Sequence, residues 1–498
     1  MGVSIRKTRT ASNATAVQVV RYERRRVVVL KHIGSAHNAE AVVVLVNKAR
    51  EWIARSTLQV PLFSNGNNDM VAKSALRLIG TSHRFTYAAL TAYAGRCGFN
   101  ALEDTLLLDL AIMRLVEPTS KLRAIALLDQ YFGVRHAERT LYRAIPKMDA
   151  HKEQAQRIAV AYAKDVLSCD LALVLYDVTT LYFETFKADE LRVPGFSKDG
   201  KPQQPQIVLG LLVTRQGFPL GYELFPGNTF EGKTMLPVLG AFAKAHHVTT
   251  PTVVADAAML SVKVIEELMG LGMSYIVGAR LANAPPKIIE SIASELGQQE
   301  GLPVRMATKH GDLVCAFSGK RYRKDKAAFE LQIKKAQALV AKGEPGRRAK
   351  FVSSAKGKDP YVLDTALMAK TERLLGIKGY CTNIPRQQLS DNDLIARYHD
   401  LWHVEQAFRM AKSDLAARPV FHHTQSAVRA HLVICFVALV LGRAIELACG
   451  RSLRSAMDAL WNVSDGELLD TTTGEVFTLR EEIPKETKDL LDALGLSY

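Results

Sequence analysis

The chain has 498 residues, 48% of them apolar and 23% charged, which is ordinary globular composition and too long for one core, so two to four domains are expected. A net charge of +15 and a sequence pI near 9.4 favour a polyanionic partner such as nucleic acid, or an anionic membrane surface, over a basic face that binds nothing. Six cysteines with no CxxC pair exclude a zinc ribbon and a disulfide framework, and the opening residues lack the apolar stretch of a signal peptide.

RRVVVLKHIG reads as a strand and NAEAVVVLVNKAREWIA as a helix. Residues 62–75, with Ser-Asn-Gly-Asn-Asn-Asp, read as a loop. From about 100 to 168 the apolar spacing is helical, punctuated by Pro118 and Gly133. Within it, VRHAERTLYRAIPKM (134–148) resembles the second half of a helix-turn-helix. Arg139, Tyr142 and Arg143 would then face a DNA groove or its phosphates, the alternative being a basic surface helix.

Between 171 and 280 the texture changes to five strand-like runs, LALVLYDVTTLYFE, QIVLGLLVTRQG, PLGYELFPGNT, PTVVADAAM and SYIVGAR, with two helical stretches among the later ones. Three meandering strands followed by helix, strand, helix, strand predict an α/β layout with a mixed sheet. The stretch 320–350 holds 11 Lys/Arg and 3 Asp/Glu, so 11 − 3 = +8. It predicts a long basic helix and then a loop at Pro345 and Gly346, a candidate for salt-sensitive backbone contacts through Lys320, Arg321, Arg323 and Lys324. GYCTNIP is a short strand. LSDNDLIARYHDLWHVEQAFRMAKSDL is strongly helical with Ser390 as N-cap, and TQSAVRAHLVICFVALVLGRAIELA is a second helix. The most apolar run, Leu432 to Gly442, is about 11 residues against about 20 for a membrane span, so a buried helix is expected.

Three carboxylates stand in apolar company. Asp177 sits in the middle of a strand, where desolvation requires a partner or a divalent cation. Asp256 ends the run TVVAD, at the carboxyl end of an α/β strand, where ligands bind. Glu405 lies on the late helix, with Tyr398 and Lys412 seven residues to either side and so on one helix face. Each acid alone has a structural alternative: a turn cap for Asp177, a loop hydrogen bond for Asp256, an ion pair with Arg409 for Glu405. Together they can hold two Mg²⁺ ions for in-line phosphoryl displacement on a polyanion, with Lys412 on a phosphate and Tyr398 packing on or hydrogen-bonding the backbone.

YDVTTLYFE, VVADAAMLS and YHDLWHVEQAFRMAKSDL followed by RPVFH resemble the DDE transposases of bacterial insertion sequences. The late block is similar to the Tyr-x2-Arg-x3-Glu-x6-Lys signature of one large branch. The resemblance implies an RNase H-like core, a mixed five-stranded sheet with flanking helices, carrying an insertion domain and preceded by a mainly helical DNA-binding region. The expected domains are 1–168 for DNA binding, 169–284 and 376–450 for the two parts of the catalytic core, 285–375 for the basic insertion and 451–498 for a tail. It further implies Asp177, Asp256 and Glu405 as a metal-binding triad with Tyr398 and Lys412 beside it, and Mg²⁺ as cofactor with Mn²⁺ as a substitute. The signature's Arg falls on Leu401, and Arg397, His403 and Arg409 are the nearby candidates for its charge. The implied activity is cleavage at element ends and transfer of the 3′-hydroxyl into target DNA. Its partners would be terminal inverted repeats, target DNA and a second copy of the chain, in the bacterial cytoplasm at the nucleoid, without a membrane. An RNase H-like nuclease without strand transfer and an inactive DNA-binding copy are the alternatives. His403, His422, His423 and His431 lack zinc-ligand spacing and Cys partners, and His422 and His431 are expected to support the helix pair near the site or to pack there.

Overall fold

The computed structural model describes residues 3–10, 12–23, 26–57, 76–184, 187–197, 200, 203–248, 251–259, 261–342, 350–354 and 361–497. The loops expected at 62–75 and around Pro345 and Gly346 lie outside the described residues. By compactness the chain divides into two units, 1–86 with 131–133 and 461–484, and 87–130 with 134–460 and 485–498.

The first unit opens with β1 (Val3–Arg9), β2 (Thr15–Glu23) and β3 (Arg26–Ala36), an antiparallel meander. The helix Ala39–Thr57 packs on it, and Val17, Val19 and Ala49 are fully buried between them. Only β3 and the helix are legible as elements. In β1 and β2 every second residue or so is charged or polar, because one face alone is covered. β4 (Leu76–Ser82) belongs to the same unit.

The second unit is built on a large mixed sheet. Its strands are β5 (Leu173–Tyr182), β6 (Gln206–Val213), β7 (Pro219–Pro226), β8 (Thr252–Ala255), β9 (Ser274–Ala279), β10 (Val304–Thr308), β11 (Gly311–Phe317) and, after the two-stranded β12 (Val352–Ser354) and β13 (Tyr361–Leu363), β14 (Ile377–Thr382). The order across the sheet is β10-β11-β14-β9-β8-β5-β6-β7. β5 pairs parallel with β8, and β8 with β9; all other pairs are antiparallel.

The sheet therefore has eight strands where the resemblance implies five. The additional three are β14 and the hairpin β10–β11, which continues the sheet through β14. Late in the chain, β15 (Asp465–Asp470) pairs with β16 (Val476–Arg480) on one side and with β4 in the first unit on the other.

β6 is buried at all eight positions, as expected where helices cover both faces of a sheet. The helix Gln425–Cys449 is long and apolar enough by composition to cross a bilayer, well beyond the run expected from sequence. It is nonetheless a core helix, with Val428 and Ala430–Ile445 buried and packed against the helix Thr105–Val116 and against β7. Each fully buried Leu or Ile there contributes about 1.5–3 kcal/mol.

Candidate active site

The parallel pair β5–β8 sets the geometry. Its register places Leu175 opposite Val254. Asp177 and Asp256 each lie two residues further on, Asp177 still within β5 and Asp256 in the first position after β8. β8 ends at Ala255, which uncovers the flank of β5 at Asp177. That is why Asp177 is half-buried while its neighbours Tyr176 and Val178 are fully buried. Asp256 is exposed; its Oδ1 accepts the Ala257 N–H at 2.7 Å and the Tyr398 hydroxyl at 3.2 Å.

Glu405 comes from the helix Trp402–Arg409, which lies on β5 and β6 through the buried Val404, Ala407 and Phe408. Its own side chain is exposed. Asp177, Asp256 and Glu405 line one open cavity of about 340 Å³ together with Lys378, Tyr398, His399, Leu401 and Trp402. The acids border a common space without converging: among the described residues no three His, Cys, Asp or Glu are grouped to grip one ion. Asp256 gives one oxygen to Tyr398 and to its own loop, which leaves its other oxygen for the cavity. The three acids supply only oxygen ligands, and the space exceeds the ~30 Å³ share of one water several-fold. This donor set fits a hard, partly hydrated divalent cation and suits neither a soft nor an imidazole-seeking metal.

The late helix is not continuous. Ser390 caps it as expected, accepting the Asp393 N–H at 3.2 Å, but the segment Asp391–His399 stops at a turn through Asp400 and Leu401. After Arg409 the backbone forms a π turn, Met410–Asp414. Tyr398, Glu405 and Lys412 thus do not share the face that their seven-residue spacing predicts. Tyr398 and Glu405 reach the cavity, whereas half-buried Lys412 is not among the residues lining it.

Tyr398 is buried, and its hydroxyl is held well above the ordinary tyrosine range by burial and by Asp256, so it stays a hydrogen-bond donor. Gly278 on β9 makes room for it: a Cβ there would stand 2.6 Å from the Tyr398 hydroxyl. The ring of Tyr380 meets that of Tyr398 edge-on at 4.8 Å.

Leu401, at the signature's Arg place, is buried and carries no charge into the cavity. Of its expected substitutes, Arg397, His403 and Arg409 do not line the space. The cation that does is Lys378 from β14, which sequence reasoning missed. Its ammonium lies 4.4 Å above the Tyr398 ring. Burial, then Arg321, draws its pKa down, opposed by Asp256 and Glu405. Its signal was a lysine in a short strand running IKGYCT, and strand pairing alone tells which face it takes.

A larger cavity, about 710 Å³, adjoins this one and shares Asp256, Lys378 and Tyr398 with it. Arg280, Arg321, Lys350 and Lys370 line it against the single further acid Asp325, which pairs with Arg321 at 3.2 Å. Lys320, Arg323 and Lys324 are exposed on the same basic helix, Gly319–Lys342. Arg139, Tyr142 and Arg143 are exposed on a two-turn helix, Glu138–Ala144.

The family model described as the transposase DDE domain matches residues 170–441, more than half of the chain. No curated protein matches it. Among solved structures, it is similar to the one titled "Cryo-EM structure of piggyBac transposase synaptic complex with hairpin DNA", at 9% identity and a TM-score of 0.37, covering 71% of this chain and 68% of that one. The matched residues span β5 to the helix Gln425–Cys449 and include all three acids of the cavity. The chain belongs to the DDE transposase family, DNA transposases that work with divalent metal ions.

Proposed function

We propose that the chain cleaves DNA at the ends of its insertion sequence and joins the freed 3′-hydroxyl to target DNA, with Mg²⁺ held by Asp177, Asp256 and Glu405. The observation that carries this is that Asp177 on β5, Asp256 just after its parallel neighbour β8, and Glu405 line one cavity. Bound divalent ions there would supply charge neutralisation to the attacking and leaving oxygens of an in-line displacement. The chain's own residues do the rest. Tyr398 donates its hydrogen bond to Asp256 and fixes that carboxylate, and Lys378 offers the cavity's positive charge to a phosphate oxygen. The basic walls of the adjoining cavity, with Lys320, Arg321, Arg323 and Lys324 on its helix, guide the DNA backbone toward the acids. Lys412 contacts the backbone from outside the cavity.

The five strands β5 to β9, three antiparallel and then two parallel to β5, support an RNase H-like core with β14 and β10–β11 added at its edge. Arg139, Tyr142 and Arg143 are assigned to binding of the terminal repeats, and pairing of two ends calls for a dimer acting on DNA in the bacterial cytoplasm. If Arg139→Ala with Arg143→Ala leaves end binding at wild-type strength, that helix is a basic surface only.

Pre-cut element ends incubated with supercoiled target and Mg²⁺ decide the reaction. Joined products support transposition by strand transfer; nicked target without joining transfers the assignment to a nuclease.

A further inference from the structure

His399 lines the same cavity as Asp177, Asp256 and Glu405, and the mechanism above gives it no task. It is the last residue of the helix Asp391–His399 and stands exposed there. Its Nε2 lies 3.2 Å from the hydroxyl of Tyr380 on β14. Tyr380 is buried, with its ring edge-on against that of Tyr398, so the hydroxyl is a fixed partner that orients the imidazole. No other described residue hydrogen-bonds that imidazole, which leaves Nδ1 open. The adjacent carboxylate, Asp400, is engaged by Arg215 at 2.6 Å instead.

The charges around the ring favour its neutral form. The Lys378 ammonium lies over the rings of both Tyr398 and Tyr380, at 4.4 and 5.7 Å. Partial burial of the imidazole, then Lys378, draws its pKa below the ordinary histidine value, and Asp400 opposes them. Burial holds both tyrosines well above their ordinary range, so neither carries charge. A neutral imidazole with one nitrogen tied to a hydroxyl and the other open is a proton acceptor. Phosphoryl transfer needs one, because the attacking oxygen must give up its proton in both cleavage and joining.

We propose that His399 is the general base of the site: with Nε2–H donated to Tyr380, its Nδ1 takes the proton of the attacking hydroxyl, water in cleavage and the freed 3′-hydroxyl in joining. This rests on the reading of the acid cavity as the place of phosphoryl transfer. As the oxygen bonds to phosphorus its O–H bond breaks and the proton passes to Nδ1. The electron pair of the broken P–O bond leaves on the departing oxygen, which is protonated from solvent, and the imidazolium returns its proton to solvent. Tyr380 touches only the imidazole and is a positioning residue.

The first test reads the metal-free full chain. The ¹⁵N shifts of His399 at pH 7 should report a neutral ring protonated on Nε2, and a ring protonated on Nδ1 or on both nitrogens overturns the proposal without any variant. The second reads single-turnover cleavage of element ends in Mg²⁺ from pH 5 to pH 8. The wild-type rate should rise about tenfold per pH unit below about pH 6.5 and then level off. His399→Ala should cleave about a hundredfold more slowly, lack that rising limb and regain rate in added imidazole, while binding ends as the wild type does. Tyr380→Phe should fall between the two, and wild-type behaviour there would remove its positioning role. If His399→Ala keeps the wild-type rate and pH profile while Asp177→Asn is inactive, His399 is not the base and the acid site stands. If Asp177→Asn also cleaves at the wild-type rate, the reading of the cavity fails and the base falls with it.

Discussion

Two cavities of the second unit are opposites. The one at β5 and β8 gathers three carboxylates around a single lysine and stands open. The one between Arg114–Lys121 and Ala416–His431, about 220 Å³, gathers arginine, lysine and histidine, and its lysine is buried. Asp256 and Glu405 stand exposed at the first, where water screens their charge, whereas Lys121 at the other is buried, where a charge in low dielectric is costly.

The strongest attempt to break this contrast removes an acid. Asp177→Asn should lower Mg²⁺-dependent cleavage of element ends by at least ~10³-fold, since an asparagine oxygen cannot match a carboxylate's charge on a divalent ion. Cleavage at the wild-type rate would remove Asp177 from the chemistry.

Next comes the lysine that the acids surround. Lys378→Met should slow cleavage by about 10- to 100-fold, in the range of one lost charge-assisted contact, with end-binding affinity changed by less than the rate. Equal losses in the two would reassign Lys378 to general DNA binding.

A third probe leaves charge alone. Gly278→Ala places a methyl 2.6 Å from the Tyr398 hydroxyl and should destabilise by about 1–3 kcal/mol, the usual cost of overpacking. In the background of Tyr398→Phe the penalty should shrink, and a double-mutant cycle in denaturant reads that coupling.

A further probe is pH. His422 and His431 face Lys121, Arg114 and Cys435, and burial lowers both well below the ordinary histidine value. The unfolded chain takes up protons at about pH 6.5 while the folded site does not. Stability should therefore be fully present above that value and fall as pH drops, by about 1.4 kcal/mol per pH unit for each histidine that stays neutral. Lys121 adds to the slope in the same direction between its unfolded value near 10.4 and about 7. Thermal midpoints from pH 8 to pH 5 should decline more steeply for the wild type than for His431→Phe.

The acids were legible because each interrupts an apolar run with a charge that such a run does not tolerate unaided: Asp177 within LVLYDVTTLY, Asp256 after TVVA, Glu405 amid Val404 and Phe408. The five strands from 171 to 280 were legible from their apolar runs and the turns between them. Lys378 was not, because a lysine in a basic chain looks like solvated surface until β9 and β11 fix the face of β14. The place of Lys412 was misjudged because periodicity assumes unbroken helix, and the turn at Asp400–Leu401 and the π turn after Arg409 change the phase. The cationic pocket joins residues about 300 positions apart, a distance over which no local pattern carries information.

The hairpin β10–β11 bears on how such a protein could be shortened. β11 covers the edge of β14 along six residue pairs, from Asp312 with Thr382 to Phe317 with Ile377. Arg305 on β10 reaches buried Asp391, at the start of the helix that carries Tyr398, at 2.9 Å. Excising 285–375 as a cassette would strip a strand edge bare, inviting intermolecular pairing and aggregation, and would leave buried Asp391 only its longer pairing with Arg386 at 3.3 Å. What looks in sequence like an ornament between two catalytic segments is therefore a buttress, and any miniaturised version would need a new strand before it needed a new substrate.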